Sequence, residues 1–284
     1  MNDDLGLDRK LMRAAFERAA PTYDRAAVVQ REVADRLLSR LDLIKLAPRR
    51  ILDAGCGTGY CTRALAGRYR DAHLVGVDLA HAMARAARSG RGLGARWTGR
   101  ETFLCGNLER LPFGARQFDL ILSSLALQWC ELDTAFAESA RVLADDGLFL
   151  FTTFGPDTLR ELRAAWRAVD DGVHVHGFLD MHDVGDALLR AGFRDPVMDV
   201  ERLTVTYANV RELLRDLKAI GAHNVAAGRF RALTGRRHFA RFERAYGEMA
   251  RDGRLPASYE IVFGHAWAPK TGFAVPVSAI GGRR

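Results

Sequence analysis

Apolar residues recur at spacings of three and four near the start of the chain, first at Leu11, Ala14 and Ala15, then at Val29, Val33, Leu37, Leu38 and Leu41. That spacing marks one face of an α-helix. Ala20-Pro21-Thr22-Tyr23-Asp24 interrupts it, because proline disfavours helical backbone at the residue before it. The pattern predicts two helices within residues 9–46, joined by a short loop that carries Tyr23.

From Arg50 the texture changes to short apolar runs separated by helical stretches. The runs are 51–54, 74–78, 102–104, 118–122 and 148–152, with helices predicted over 60–69, through Met83 and Ala87, and over 134–143. Such alternation implies a parallel sheet with helices on both faces. Beyond Phe154 the spacing predicts helices over 158–169, 181–191 and 210–220, and strands over 200–207 and 259–267. The expected architecture is α/β, a doubly wound, mostly parallel seven-stranded sheet. Residues 1–46 would form an N-terminal helical lid and 47–154 the α/β core. Residues 155–270 would add the last strands and a C-terminal helical insertion. The tail 271–284, without periodicity, reads as disordered.

Composition narrows the function only modestly. The 284 residues are 48% hydrophobic and 27% charged, as in an ordinary globular protein, and suffice for one large core with a modest second unit. No run approaches the roughly 18 apolar residues of a membrane span. Met1–Lys10 opens with acids and lacks the pattern of a secretory signal, so a cytoplasmic location is expected. Cys56, Cys61, Cys105 and Cys130 are scattered without a C-x-x-C pair. They read as small buried thiols, with no metal site expected. The net charge of +7 suits an acidic partner: nucleic acid, a membrane surface or an acidic protein. Its arginines are interspersed with acids, so a solvated face accounts for them equally well.

The chemistry concentrates in Leu52-Asp53-Ala54-Gly55-Cys56-Gly57-Thr58-Gly59, where the first strand hands over to a helix. Glycines there let backbone approach a ligand, and a helix N-terminus offers unpaired N–H groups. Asp78, at the tip of the second strand, can accept from both hydroxyls of a ribose. The D-x-G-x-G-x-G run resembles motif I of class I methyltransferases. Gly106-Asn107-Leu108-Glu109-Arg110-Leu111-Pro112-Phe113 resembles a further motif of that class, with Asn107 where many members carry Asp. Phe118–Trp129 and Arg141–Gly147 resemble two more. The resemblance implies S-adenosylmethionine as cofactor. Its binding residues would be Tyr23, Gln30, Asp53, Gly55, Gly57, Asp78, Leu79, Met83, Asn107, Leu108, Ser124 and Gln128.

The acceptor is suggested by the flanks. Ser124-Leu125-Ala126-Leu127 lacks the N/D-P-P-Y/F-like set of enzymes that methylate exocyclic amines of bases, which argues against nucleic acid. The stretches Ala14–Asp24, Ser124–Cys130 and Asp216–Asn224, with Arg229 and Pro256–Tyr259, resemble the malonyl-acyl-carrier-protein O-methyltransferase family of biotin synthesis. The resemblance implies methylation of the free carboxylate of a malonyl thioester, on acyl carrier protein or coenzyme A, with neither nucleic acid nor membrane as partner. A carboxylate is already a competent nucleophile, so alignment and desolvation suffice. Arg229 and Lys218 are the candidates to orient it, with Tyr23 and Trp129 shaping the pocket. His174 and His176 read as polar loop residues, with cavity lining as the alternative. The rival readings are an arginine hydroxylase-like assembly factor that keeps the cofactor fold, a carboxyl methyltransferase for another small acid, and a cofactor-retaining binding module.

Overall fold

Leu120 and Leu122 pack into one hydrophobic cluster, and Ile121 between them into another. Leu148 and Leu150 divide from Phe149 and Phe151 in the same way. Successive side chains of a strand point to opposite faces, so continuous apolar runs belong to strands covered on both sides. The computed structural model describes residues 7–92, 99–222 and 235–269. Its strands are β1 (Arg50–Ala54), β2 (His73–Asp78), β3 (Glu101–Cys105), β4 (Phe118–Ser124), β5 (Leu143–Phe154), β6 (Arg194–Tyr207) and β7 (Leu255–Trp267). They form one sheet in the order β3-β2-β1-β4-β5-β7-β6. β1 to β5 run parallel, and β7 is antiparallel to both β5 and β6.

The helices are α1 (Arg9–Ala19), α2 (Tyr23–Ala26), α3 (Val28–Ser39), α4 (Tyr60–Arg68), α5 (His81–Ser89), α6 (Leu132–Val142), α7 (Arg160–Arg167), α8 (Met181–Arg190), α9 (Val210–Ala219) and α10 (Arg236–Gly247). One face of the sheet carries α3 and α4, through Leu37 and Leu65, and toward its antiparallel end α7, α9 and α10, through Leu162, Leu213 and Phe242. The other carries α6 and α8, where Phe136 meets Phe149 edge-on at 5.7 Å and Val184 and Leu188 complete the layer. Burying each such aromatic is worth about 1.5–3 kcal/mol. No helix among the described residues is long and apolar enough to cross a membrane.

The structure departs from the sequence reading in several places. Tyr23 opens the four-residue helix α2 rather than sitting in a loop. The helix expected over 158–169 is shorter, because Leu159 takes a left-handed φ of 56° before α7 begins. β6 starts at Arg194, where Asp195 has a φ of 50° and the register shifts between Arg194 and Val197. β7 starts at Leu255 although Pro256 follows, a residue that argues against a central strand by lacking its N–H. α10 was not foreseen: its arginine-rich sequence buries only Phe242 and Tyr246. Cys56 and Cys61 are buried as expected, but Cys105 is exposed. The tail 271–284 lies outside the described residues.

Candidate active site

The sheet order reverses between β1 and β4, which opens a crevice at their carboxyl ends. The loop after β1 turns sharply there, with left-handed φ values of 84° at Gly55 and 52° at Gly57. The N–H groups of Gly55 and Cys56 both donate to the carbonyl of Val77, pinning the loop to the end of β2. Asp78, at that end, accepts from Gly57 N–H at 2.9 Å and from Ala80 N–H at 2.8 Å. Burial pushes its carboxyl up to about 6, against the lowering effect of those two hydrogen bonds.

A cavity of about 300 Å³ lies beside this loop. Of the residues expected to hold the cofactor, Tyr23, Gly55, Gly57, Asp78, Leu79, Met83, Asn107, Leu108 and Ser124 line it. Asp53 does not. It is buried at 2% exposure, and its carboxylate accepts from the Thr62 hydroxyl at 2.5 Å. Burial, with the nearby charge of Asp78, lifts Asp53 to about 6 despite that bond. Asp53 therefore fastens β1 to α4 beneath the loop rather than facing the cavity. Asn107 Oδ1 accepts from Glu109 N–H at 3.0 Å, which closes a turn at the rim. Gln30 and Gln128 face a second cavity instead.

The N-terminal helices cover the first cavity through contacts the sequence did not signal. Arg9 on α1 pairs with Glu109 at 2.5 Å, and both line the cavity. The Thr58 hydroxyl donates to Asp24 Oδ1 at 2.5 Å, tying α2 to the glycine loop. Glu17 accepts the N–H groups of His81 and Ala82 at the start of α5.

The second cavity, about 330 Å³, lies between this cover and the antiparallel end of the sheet. Phe16, Tyr23, Leu125 and Trp129 border both cavities and form the wall between them. Phe16 meets Trp129 edge-on at 5.4 Å. Burial raises the Tyr23 hydroxyl above its ordinary value, with Asp78 and Asp24 adding to the effect, so it stays protonated. Lys218 reaches the second cavity from α9, whereas Arg229 lies outside the described residues.

His174 and His176 lie in the loop between α7 and α8, as read from the sequence, and both also line the second cavity. His174 stacks on Trp166 at 3.9 Å and sits 2.7 Å from Asp170 Oδ1. His176 packs between Trp129 at 4.9 Å and Phe178 at 4.6 Å and is 6% exposed. Burial, then the charge of Arg163, lowers it to about 4. Gln128 donates through Nε2 to Leu125 O at 2.7 Å. His176 Nε2 and Gln128 Oε1 are buried and have no hydrogen-bond partner among the described residues.

Known proteins match this arrangement at two depths. Residues 52–151 match a methyltransferase domain. The YcgJ protein from Bacillus subtilis shares the fold at a TM-score of 0.58 and 18% identity, over 83% of this chain and 98% of its own. A Haemonchus contortus N-methyltransferase in complex with phosphomonomethylethanolamine and S-adenosylhomocysteine aligns at a TM-score of 0.53 and 18% identity, over 89% of this chain and 58% of its own. Much nearer in sequence is the malonyl-acyl-carrier-protein O-methyltransferase of Laribacter hongkongensis, 53% identical over 275 residues, or 95% of this chain and 92% of the relative. Half-identity over nearly the full length of both chains shows that this protein belongs to the malonyl-acyl-carrier-protein O-methyltransferase family.

Proposed function

We propose that the first cavity takes S-adenosylmethionine and the second a malonyl thioester, whose free carboxylate becomes a methyl ester. The observation that supports this reading is the shared wall of Phe16, Tyr23, Leu125 and Trp129, which leaves two cavities back to back, as transfer between a donor and an acceptor requires. The first cavity suits the cofactor: Asp78 keeps lone pairs for ribose hydroxyls, and Leu79, Met83 and Leu108 offer apolar surface for a base. Bound there, the cofactor supplies an electrophilic methyl group.

The chain's own contribution is placement and exclusion of water. The aromatic wall and the cover of α1 and α2 dry the space between the cavities, where a desolvated carboxylate is a stronger nucleophile. Lys218, with Arg229 as the second candidate, would attract the acceptor's charge. A basic protein of net charge +7 suits an acidic carrier protein as the bearer of the thioester. The ester masks the malonyl charge, which fits an early step of biotin synthesis. The transferase name of a half-identical relative favours this over the hydroxylase-like reading.

The test is mass spectrometry of malonyl-carrier protein incubated with the enzyme and S-adenosylmethionine. The expected result is a gain of one methyl group, absent when the acyl group is acetyl. Cofactor binding without any gain would overturn the assignment of acceptor.

A further inference from the structure

Among the described residues, two residues that line the second cavity each hold a buried polar atom without a partner, and the two atoms differ in kind. Gln128 Oε1 can only accept a hydrogen bond, because the amide N–H₂ is already turned to Leu125 O. A carboxylate, which also only accepts, gains nothing from it. His176 Nε2 can donate in one of the two neutral tautomers. The imidazole lies against Trp129, a residue of the shared wall, at the end of the cavity nearest the donor site.

We propose that His176, as a neutral imidazole, donates from Nε2 to the acceptor's carboxylate and so selects carboxyl-bearing acyl groups and aims them at the wall. This rests on the malonyl reading above. Three observations support it. The residue is buried, so an unpartnered Nε2 carries a standing desolvation cost that a bound carboxylate removes. It is clasped between Trp129 and Phe178, which fixes its direction. Burial and the charge of Arg163 also hold it at about 4, so the imidazole that meets an incoming carboxylate is uncharged.

Neutrality matters for this chemistry. In the transfer a carboxylate lone pair forms the new O–CH₃ bond, the S–C bond pair stays with sulfur, and no proton moves. A negative and a positive charge cancel as the bond forms. A cation paired with the carboxylate therefore binds the ground state more tightly than the transition state and raises the barrier. A neutral donor orients the same oxygen at a smaller cost, and it cannot protonate the nucleophile. Lys218 then has the separate task of drawing the charged group into the cavity.

The experiment measures binding of malonyl- and acetyl-carrier protein by calorimetry, without cofactor, to the wild type, His176→Leu and His176→Gln. The wild type should prefer the malonyl group. His176→Leu should lose about 10- to 100-fold of malonyl affinity, the range of a hydrogen bond to a charged group, and keep its acetyl affinity. With cofactor present, KM should rise far more than kcat falls. His176→Gln, which restores a donor near the same place, should recover most of the preference. Retained malonyl preference in His176→Leu, or equal loss for both acyl groups, would overturn the role of His176 while leaving wild-type methylation intact. A wild type that neither prefers nor methylates the malonyl group would instead sink the malonyl reading itself, and the proposal with it.

Discussion

Gly55 and Ala126 leave no room for one more carbon: a Cβ on Gly55 would stand 2.2 Å from the Cβ of Ala126. The contact closes the floor of the first cavity, since both residues line it. Gly55 also holds a φ of 84°, which L-residues rarely adopt.

Gly55→Ala should therefore displace either the loop or the β4 turn, and weaken S-adenosylhomocysteine binding by at least about 100-fold, given strain of roughly 1–3 kcal/mol plus the clash. Adding Ala126→Gly removes the clash but not the backbone strain. The double variant should recover part of the affinity, and calorimetry on the four proteins of the cycle measures how much. Full recovery would mean that φ at Gly55 carries no cost. No recovery would mean that the contact with Ala126 is not the obstacle.

Asp78 predicts the pH dependence of cofactor binding. Burial lifts its carboxyl to about 6 from an ordinary value of 3.8, so the free protein holds this proton longer than the unfolded chain does. Between about pH 4 and 6 the unfolded state binds fewer protons than the folded one, so the contribution of this group to stability falls as pH rises. Ribose hydroxyls donate to the anion, and so cofactor binding must release the proton below pH 6. Affinity for S-adenosylhomocysteine should climb by up to tenfold per pH unit below about 6 and level off above it. Asp78→Asn should bind more weakly and lose the slope. Asp53 also sits at about 6 but faces Thr62, so a slope that survives in Asp78→Asn would assign the titration to Asp53.

The centre of the parallel sheet was legible because β1, β4 and the second half of β5 are buried on both faces and read as largely apolar runs. The antiparallel end was harder. Its first signals were masked by Pro256 in β7 and by the left-handed Asp195 in β6. The site divided along the same line. The glycine loop and Asp78 are local signals at strand ends, and they reach the cavity. Asp53 looks the same in sequence, but Thr62, nine residues on, turns its carboxylate inward. Asp146 holds a φ of 57°, the left-handed region that favours glycine, which its sequence did not announce. His176 reads first as a polar loop residue, because its burial depends on Trp129, which is distant in sequence. The Arg9–Glu109 pair joins residues a hundred positions apart, which no local pattern encodes.

Glu17 makes the last prediction, because it caps a helix that is not its own. The N-cap residue of α5, Ala80, has no side chain for the task. Glu17 on α1 supplies it, accepting His81 N–H at 2.7 Å and Ala82 N–H at 2.9 Å. Burial works to raise its carboxyl, but those two bonds and Arg13 outweigh it and hold the group below 4.5. A depressed folded value means that the stabilisation is present above the unfolded value and is lost as pH falls through the folded one. Glu17→Ala should cost about 1 kcal/mol at pH 7, the usual worth of a helix cap. The same change loosens α1 over the first cavity, so S-adenosylhomocysteine affinity should fall several-fold as well. Denaturant titrations of both proteins across the acid range provide the check. The gap between them should narrow as pH falls through the depressed folded value, where the wild-type carboxylate becomes protonated too. A gap that stays constant into acid would show that Glu17 acts by packing, and not as an anion at the start of α5.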